Sequence, residues 1–349
     1  MNGRKICLNC SPLTGNITGI ERCIYENVKR FDKLAGKDGV EIELLYPEGT
    51  QPNFPQVNYL KKVSLPAKGN KIDVFSLIKY IKRNNAVYFS IHGGICLIRG
   101  SVVCTHDMRT WAHKEFDPLS FRIKCNINAL TSRIFAKKIV TVSKTARSEI
   151  SKYLRLPEAK IDIITNGWEH IKEIKPDNKV WEKIPGVVKG EYFYSLSSRA
   201  PHKNFIWVHE VARRNPSQTF IIGGKLWNGG STENPPQNLI YLGYVSDEEN
   251  VELMSHCKAF LHPSKYEGFG MTPLEALACG AEICVSTASC LPEIFEDCAH
   301  YFDPDDYSVD LEQLLSEETS RPDKLFKKYS WDKASDQWYK LMKKYGKWS

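Results

Sequence analysis

Short β-rich apolar runs alternate with stretches of helical periodicity along almost the whole chain, and this alternation stops once and then starts again. The first series has apolar runs at 6–8, 40–46, 86–91, 101–105 and 138–142, with helical patterns at 20–34 and 144–154. A polar, Pro- and Lys-containing stretch at 173–190 interrupts it, and a second series follows at 191–196, 219–222, 239–242, 259–262 and 282–286. Strand, helix, strand in this order implies a parallel sheet, because parallel neighbours need a crossover between them. Two such series predict an α/β protein of two Rossmann-like, doubly wound domains, and 349 residues at about 150 per domain give the same count. Such sheets bind ligands at the carboxyl ends of their strands, so facing domains would place the site in a cleft. The predicted boundaries are an N-terminal domain at 1–176, a second domain at 177–320, and a helical segment at 321–349 that crosses back to the first.

Charge separates the halves. Residues 1–176 carry 29 Lys and Arg against 16 Asp and Glu, whereas 177–349 carry 19 against 25, and the tail from 321 is itself basic, with nine cations against three acids. A basic face draws phosphorylated substrates, anionic lipid or nucleic acid through the same field; a merely solvated surface is the plain alternative. In the tail, Trp331, Trp338, Tyr339, Tyr345 and Trp348 interleave with lysines. That pattern suits interfacial binding, and rings docked into the first domain are the other reading. The 11 cysteines are scattered singly and read as free thiols. The one C-x-x-C, Cys7 to Cys10, lacks a second half that would complete a zinc site. No apolar run approaches the ~20 residues of a membrane span. The polar start runs directly into a strand pattern, which predicts a protein that stays in the cytoplasm.

The densest signal is HPSKYEGFGMTPLEALACG, residues 262–280. A strand ends near His262, a glycine loop holds Glu267, Gly268, Phe269 and Gly270, and a helix follows with Thr272 as expected N-cap and Gly280 just past its end. Loop amides and the helix N-terminus make an anion site over Gly270, Met271 and Thr272. Glu275 has a bland reading as the partner of Thr272 in a capping box. Glu267, in a glycine loop, has neither a capping nor a core role, and two carboxylates beside a phosphate site suit recognition of sugar and ribose hydroxyls. Ser246 with Glu249 predicts a second capping box.

The spacing from Glu267 to Glu275, in the context EGFGMTPLEALACG, resembles the Glu-x7-Glu motif of the retaining, nucleotide-sugar-dependent family 4 glycosyltransferases, whose architecture is GT-B. The resemblance implies that Glu267 contacts hydroxyls of the donor sugar, that Gly268 to Met271 hold the diphosphate, and that Glu275 binds the ribose. SLSSRAPHKN, residues 195–204, resembles the family's diphosphate-binding segment, implying that role for Arg199 and Lys203. LGYVSDEE resembles the loop that meets the base, implicating Tyr244 and Val245. Gly223 and Gly224 resemble a cleft-facing turn, with Lys225 near the base. In the first half, Gly15 and Gly19 in TGNITGIERCIYENV look like the family's glycine loop, and VVCTHDM puts His106 and Asp107 beside the reacting sugar. IITNGWEH departs from the family's xPNGVD pattern at Thr165, Trp168 and Glu169.

The implied activity is retaining transfer of a hexose from a nucleoside-diphosphate sugar to a hydroxyl of a lipid-linked or oligosaccharide glycan acceptor, in cell-surface polysaccharide assembly. No metal or other cofactor is expected: Arg199, Lys203 and the helix N-terminus stabilise the departing diphosphate. The expected partners are the donor, the acceptor and an anionic membrane at the inner face of the cytoplasmic membrane, with no nucleic acid. A nucleotide-sugar epimerase of the same fold, or a non-enzymatic basic binder of membrane or nucleic acid, are the alternatives.

Overall fold

The computed structural model describes residues 3–15, 17–196, 198, 200–224 and 235–348. The chain divides into two compact units. One takes the residues up to Lys114, Pro118–Asn166 and the chain from Ser330 onward; the other takes Glu115–Asp117 and Gly167–Tyr329.

In the first unit, β1 (Ile6–Asn9), β2 (Ile42–Pro47), β3 (Lys61–Leu65), β6 (Val87–Ser90), β7 (Ser101–Cys104), β8 (Ala136–Thr141) and β9 (Ile161–Ile163) form one sheet in the order β3-β2-β1-β6-β7-β8-β9. The short strands β4 (Ala67–Lys68) and β5 (Lys71–Ile72) pair separately. Every pairing in the large sheet is parallel. The second unit has β10 (Tyr192–Leu196), β11 (Thr219–Gly223), β12 (Leu239–Gly243), β13 (Ala259–His262), β14 (Ile283–Ser286) and β15 (His300–Phe302), again all parallel, in the order β12-β11-β10-β13-β14-β15. The central strands are buried along their length, as both-face coverage by helices requires. Both orders reverse direction beside the strand that opens the unit. The reversal falls between β1 and β6 in the first sheet and between β10 and β13 in the second, and these are the points where doubly wound sheets bind ligands.

The sequence pattern misses β3, β9 and β15. All three lie at the outer part of a sheet; β3 is KKVSL with its lysines in solvent, so it lacks the continuous apolar run of an inner strand.

Two boundaries differ from the expectation. The first unit's Rossmann-like body ends at Asn166, ten residues before the change in composition, because Trp168 packs in the second unit: its ring lies 4.3 Å from that of Phe326 and its Nε1 donates to the Phe326 carbonyl at 3.2 Å. At the tail, helix Asp323–Lys328 still belongs to the second unit, and only the chain from Ser330 joins the first. There helix Trp331–Gly346 lies on helix Gly19–Asp38. Ser335 Oγ donates to Asn27 Oδ1 at 2.9 Å, Phe31 and Tyr339 approach at 6.4 Å, and Trp348 Nε1 donates to the Arg4 carbonyl at 2.8 Å. Trp331, Trp338 and Tyr339 are buried in this contact. A Cβ at Gly346 would sit 2.7 Å from the Trp348 ring, so the close approach requires glycine. Trp331, Trp338 and Tyr339 thus serve the core of the first unit, and the interfacial reading of these three rings is corrected.

Candidate active site

The second unit builds its site at the reversal of its sheet. β10 ends at Leu196 and the chain turns through the short helix Pro201–Lys203; β13 ends at His262 and the glycine loop follows. Lys203 Nζ donates to Glu267 Oε1 at 2.6 Å, and His262 Nε2 lies 2.8 Å from the same oxygen. Burial pushes the Glu267 carboxyl up, but the Lys203 charge and the His262 hydrogen bond overcome it and hold the group well below the usual carboxylate range. An ionised carboxylate only accepts, so His262 must carry its proton on Nε2. Burial lowers the pKa of His262 against the pull of Glu267, leaving a neutral imidazole as donor. Arg199 and Lys225 lie outside the described residues.

The surrounding backbone fixes these groups. Asn204 takes a left-handed conformation, φ 56°, and its amide donates to the carbonyls of Pro263 at 3.1 Å and Pro304 at 2.8 Å, so the segment carrying Lys203 is tied to the segment after β13. The Glu267 carbonyl accepts from Ser289 Oγ at 2.7 Å. Gly270 has φ 89°, and a Cβ there would lie 2.9 Å from Leu291 Cδ2; both conformation and space demand glycine. Phe269 is buried edge-on against Tyr329 with centroids 5.2 Å apart.

The helix begins earlier than its sequence suggests. It spans Met271–Ala278 with Gly270 as N-cap, so Thr272 and Pro273 already lie inside it and the expected Thr272–Glu275 capping box does not form. Glu275 instead accepts from His170 Nε2 at 3.0 Å. The start of the helix still presents its first amides beside the loop of Gly268. The Ser246–Glu249 capping box is present. At the end of β11, a Cβ on Gly223 would come within 2.5 Å of the Tyr194 hydroxyl oxygen. Beyond β12, Tyr244 is 62% exposed while Val245 is buried.

In the first unit, His106 follows β7 and is half-buried. Its Nε2 lies 2.9 Å from the Ile91 carbonyl, an acceptor, so Nε2 carries the proton. Burial lowers the His106 pKa, against the charge of Asp107 and the Ile91 hydrogen bond. Asp107 accepts from the Arg109 amide at 3.0 Å. The sequence reading missed His92, which follows β6 at the reversal of this sheet. Burial, and then the neighbouring His106, push its pKa down to about 4, and its Nε2 is buried without a hydrogen-bond partner. The signal was present: His92-Gly93-Gly94 closes the strand pattern, and both glycines have positive φ. Gly15 and Gly19 precede and begin helix Gly19–Asp38, and a Cβ at either would meet no atom of the chain within 4 Å; the fold itself does not require glycine there. Among the described residues, no group of three or more His, Cys, Asp and Glu is placed to hold a metal ion.

Residues 178–330 match the family described as "Glycosyl transferases group 1", and that span contains Lys203, His262, Glu267 and Glu275. The chain has the GT-B fold, and it is the second unit that carries the glycosyltransferase family match. It is 28% identical to O-antigen chain mannosyltransferase B of Escherichia coli over 97% of this chain and all of that protein. It is 26% identical to O-antigen chain mannosyltransferase RfbU of Salmonella typhimurium over 66% of this chain and 64% of that one. In fold it resembles sucrose-phosphate synthase from Thermosynechococcus elongatus, with TM-score 0.74, 12% identity and 98% of each chain covered. It also resembles Anabaena HepE in complex with UDP and glucose, with TM-score 0.70, 15% identity, and 98% of this chain and 100% of that one covered.

Proposed function

We propose that this glycosyltransferase moves a hexose from a nucleoside-diphosphate sugar to a hydroxyl of a lipid-linked glycan acceptor, with retention of anomeric configuration and without a protein-held metal. The observation that carries this reading is the largely buried Lys203–Glu267–His262 cluster, its ion pair only 13–18% exposed, at the reversal of the second sheet. A buried ion pair adds little to stability compared with apolar packing, so its presence at a ligand position points to chemistry. Mannose is favoured as the sugar because both relatives described above are named mannosyltransferases.

In this reading the donor diphosphate lies over the first amides of helix Met271–Ala278 and beside Lys203. Cleavage of the sugar C1–O bond places negative charge on the departing phosphate, and the ammonium and the helix amides stabilise that charge as it grows. Glu267 already accepts two hydrogen bonds on one oxygen, which makes it a poor nucleophile and a good acceptor for sugar hydroxyls through the other. The acceptor oxygen then bonds to C1 on the face the phosphate leaves, and its proton passes to a phosphate oxygen.

Ligand-observed NMR with UDP-, GDP-, dTDP- and ADP-sugars tests this, using the wild type, Glu267→Ala and Lys203→Ala. Saturation transfer is expected to one nucleotide family, weakened about tenfold or more by each substitution. If none of the panel binds the wild type, the reading is wrong.

A further inference from the structure

Helix Leu119–Phe135 of the first unit is turned inside out. Leu119, Ile123, Ile127, Leu130 and Ile134 follow one another at intervals of four, four, three and four residues, which at 3.6 residues per turn places them on one stripe spanning about 80°. In an ordinary surface helix such a stripe faces the core. Here all five side chains are between 38 and 65% exposed. The side that meets the protein is small and polar: Ala129 and Ser132 are buried, and Thr131 Oγ1 accepts from the Cys96 amide at 3.2 Å. That hydrogen bond lays the 91–100 loop on the helix, and the loop's own exposed apolar residues, Ile95 and Leu97, extend the patch.

The surroundings are cationic throughout. Residues 74–106 and 118–148 contain no Asp or Glu, and the second stretch alone carries seven Lys and Arg. Near the start of the helix, Lys124 sits beside Lys71, and the Lys71 pKa is lowered, first by that neighbour's charge. Two ammonium groups held together favour an anion between them. Phe75, 77% exposed, follows Lys71 at the start of helix Val74–Arg83.

We infer that this face docks on a bilayer containing anionic lipid, the Leu119–Ile134 stripe entering the headgroup boundary while Lys71, Lys124 and Arg133 meet the phosphates. An apolar stripe rimmed by cations is the arrangement that lies in a membrane surface. A second copy of this chain is a poorer occupant, since pairing would bring two cationic faces together. The inference goes beyond the proposed reaction and does not depend on it.

Co-sedimentation of the full chain with phosphatidylcholine vesicles, with and without phosphatidylglycerol, tests it, with nucleotide-sugar binding measured separately on the same samples. The wild type is expected to partition onto phosphatidylglycerol vesicles, and the triple variant Ile123→Gln, Ile127→Gln, Ile134→Gln to lose about tenfold or more of that partition while its circular dichroism stays unchanged. Should the triple variant misfold, Lys71→Gln with Lys124→Gln is the second probe and is expected to lower partition severalfold and to reduce its salt dependence. The inference is overturned if the wild type ignores phosphatidylglycerol, if folded variants bind vesicles as the wild type does, or if sedimentation velocity shows a dimer that the triple variant dissolves. Vesicle binding without donor binding would sink the proposed reaction and leave this inference standing.

Discussion

The two units break the ordinary rule of burial in opposite senses. The second hides charge: Lys203 and Glu267 form an ion pair at the end of a parallel sheet where an apolar contact would be at least as stable. The first shows apolar surface: a helix presents five aliphatic side chains to solvent and its small polar face to the core. Neither choice improves stability. On the two readings proposed above, each departure marks a place of contact, with a polar ligand in one unit and an apolar phase in the other.

The largest effect that would break this contrast lies in the ion pair. Lys203→Ala leaves the half-buried Glu267 without its cation, and the expectation is a loss of about 3 kcal/mol in chemical denaturation and of about 10³-fold in transfer rate. Replacing both residues by Met is expected to restore most of the stability and none of the activity. If the double variant regains activity, the pair is only structural. A smaller effect sharpens the role of the loop: Gly270→Ala must hold φ near 89° and push against Leu291, costing about 2–4 kcal/mol and weakening donor affinity in NMR titration. Affinity that stays unchanged would detach the loop from the diphosphate. The smallest concerns the first unit. His92 titrates near 6.5 when unfolded and at about 4 when folded, so between those values the unfolded chain holds the extra proton. Stability is therefore full above about pH 6.5 and falls as pH drops toward about 4. His106, lowered in the same direction, adds to the loss. His92→Gln is expected to flatten part of this slope in urea midpoints measured across the range; a slope that is unchanged would mean His92 is not enclosed in solution.

Much of the fold was legible because parallel inner strands read as continuous apolar runs. Edge strands such as Lys61–Leu65 were not, since a short half-solvated strand that opens on two lysines looks like a loop. In the site, Lys203, Glu267 and Glu275 could be named from their motif, but their pairing could not. His262 was read only as the end of a strand and His170 as part of a divergent segment, yet each supplies a hydrogen bond to one of the two glutamates. Which oxygen meets which nitrogen depends on loops converging from residues up to 105 positions apart, and no local pattern encodes that distance.

Helical periodicity shows that a stripe exists, not which side of it is covered. The tail helix and helix Leu119–Phe135 both carry apolar residues among cations, and the sequence reading singled out only the aromatic tail as a candidate interface. Tertiary packing decided otherwise: the tail helix lies on helix Gly19–Asp38 with Trp331, Trp338 and Tyr339 buried, and the aliphatic stripe remains in solvent. The sequence by itself determined two parallel α/β units, the glycine loop and the identity of the charged residues, because period, turn chemistry and residue type are local properties. Only the tertiary structure decided which charges are buried together and which apolar face stays open, because burial depends on what the rest of the chain brings alongside.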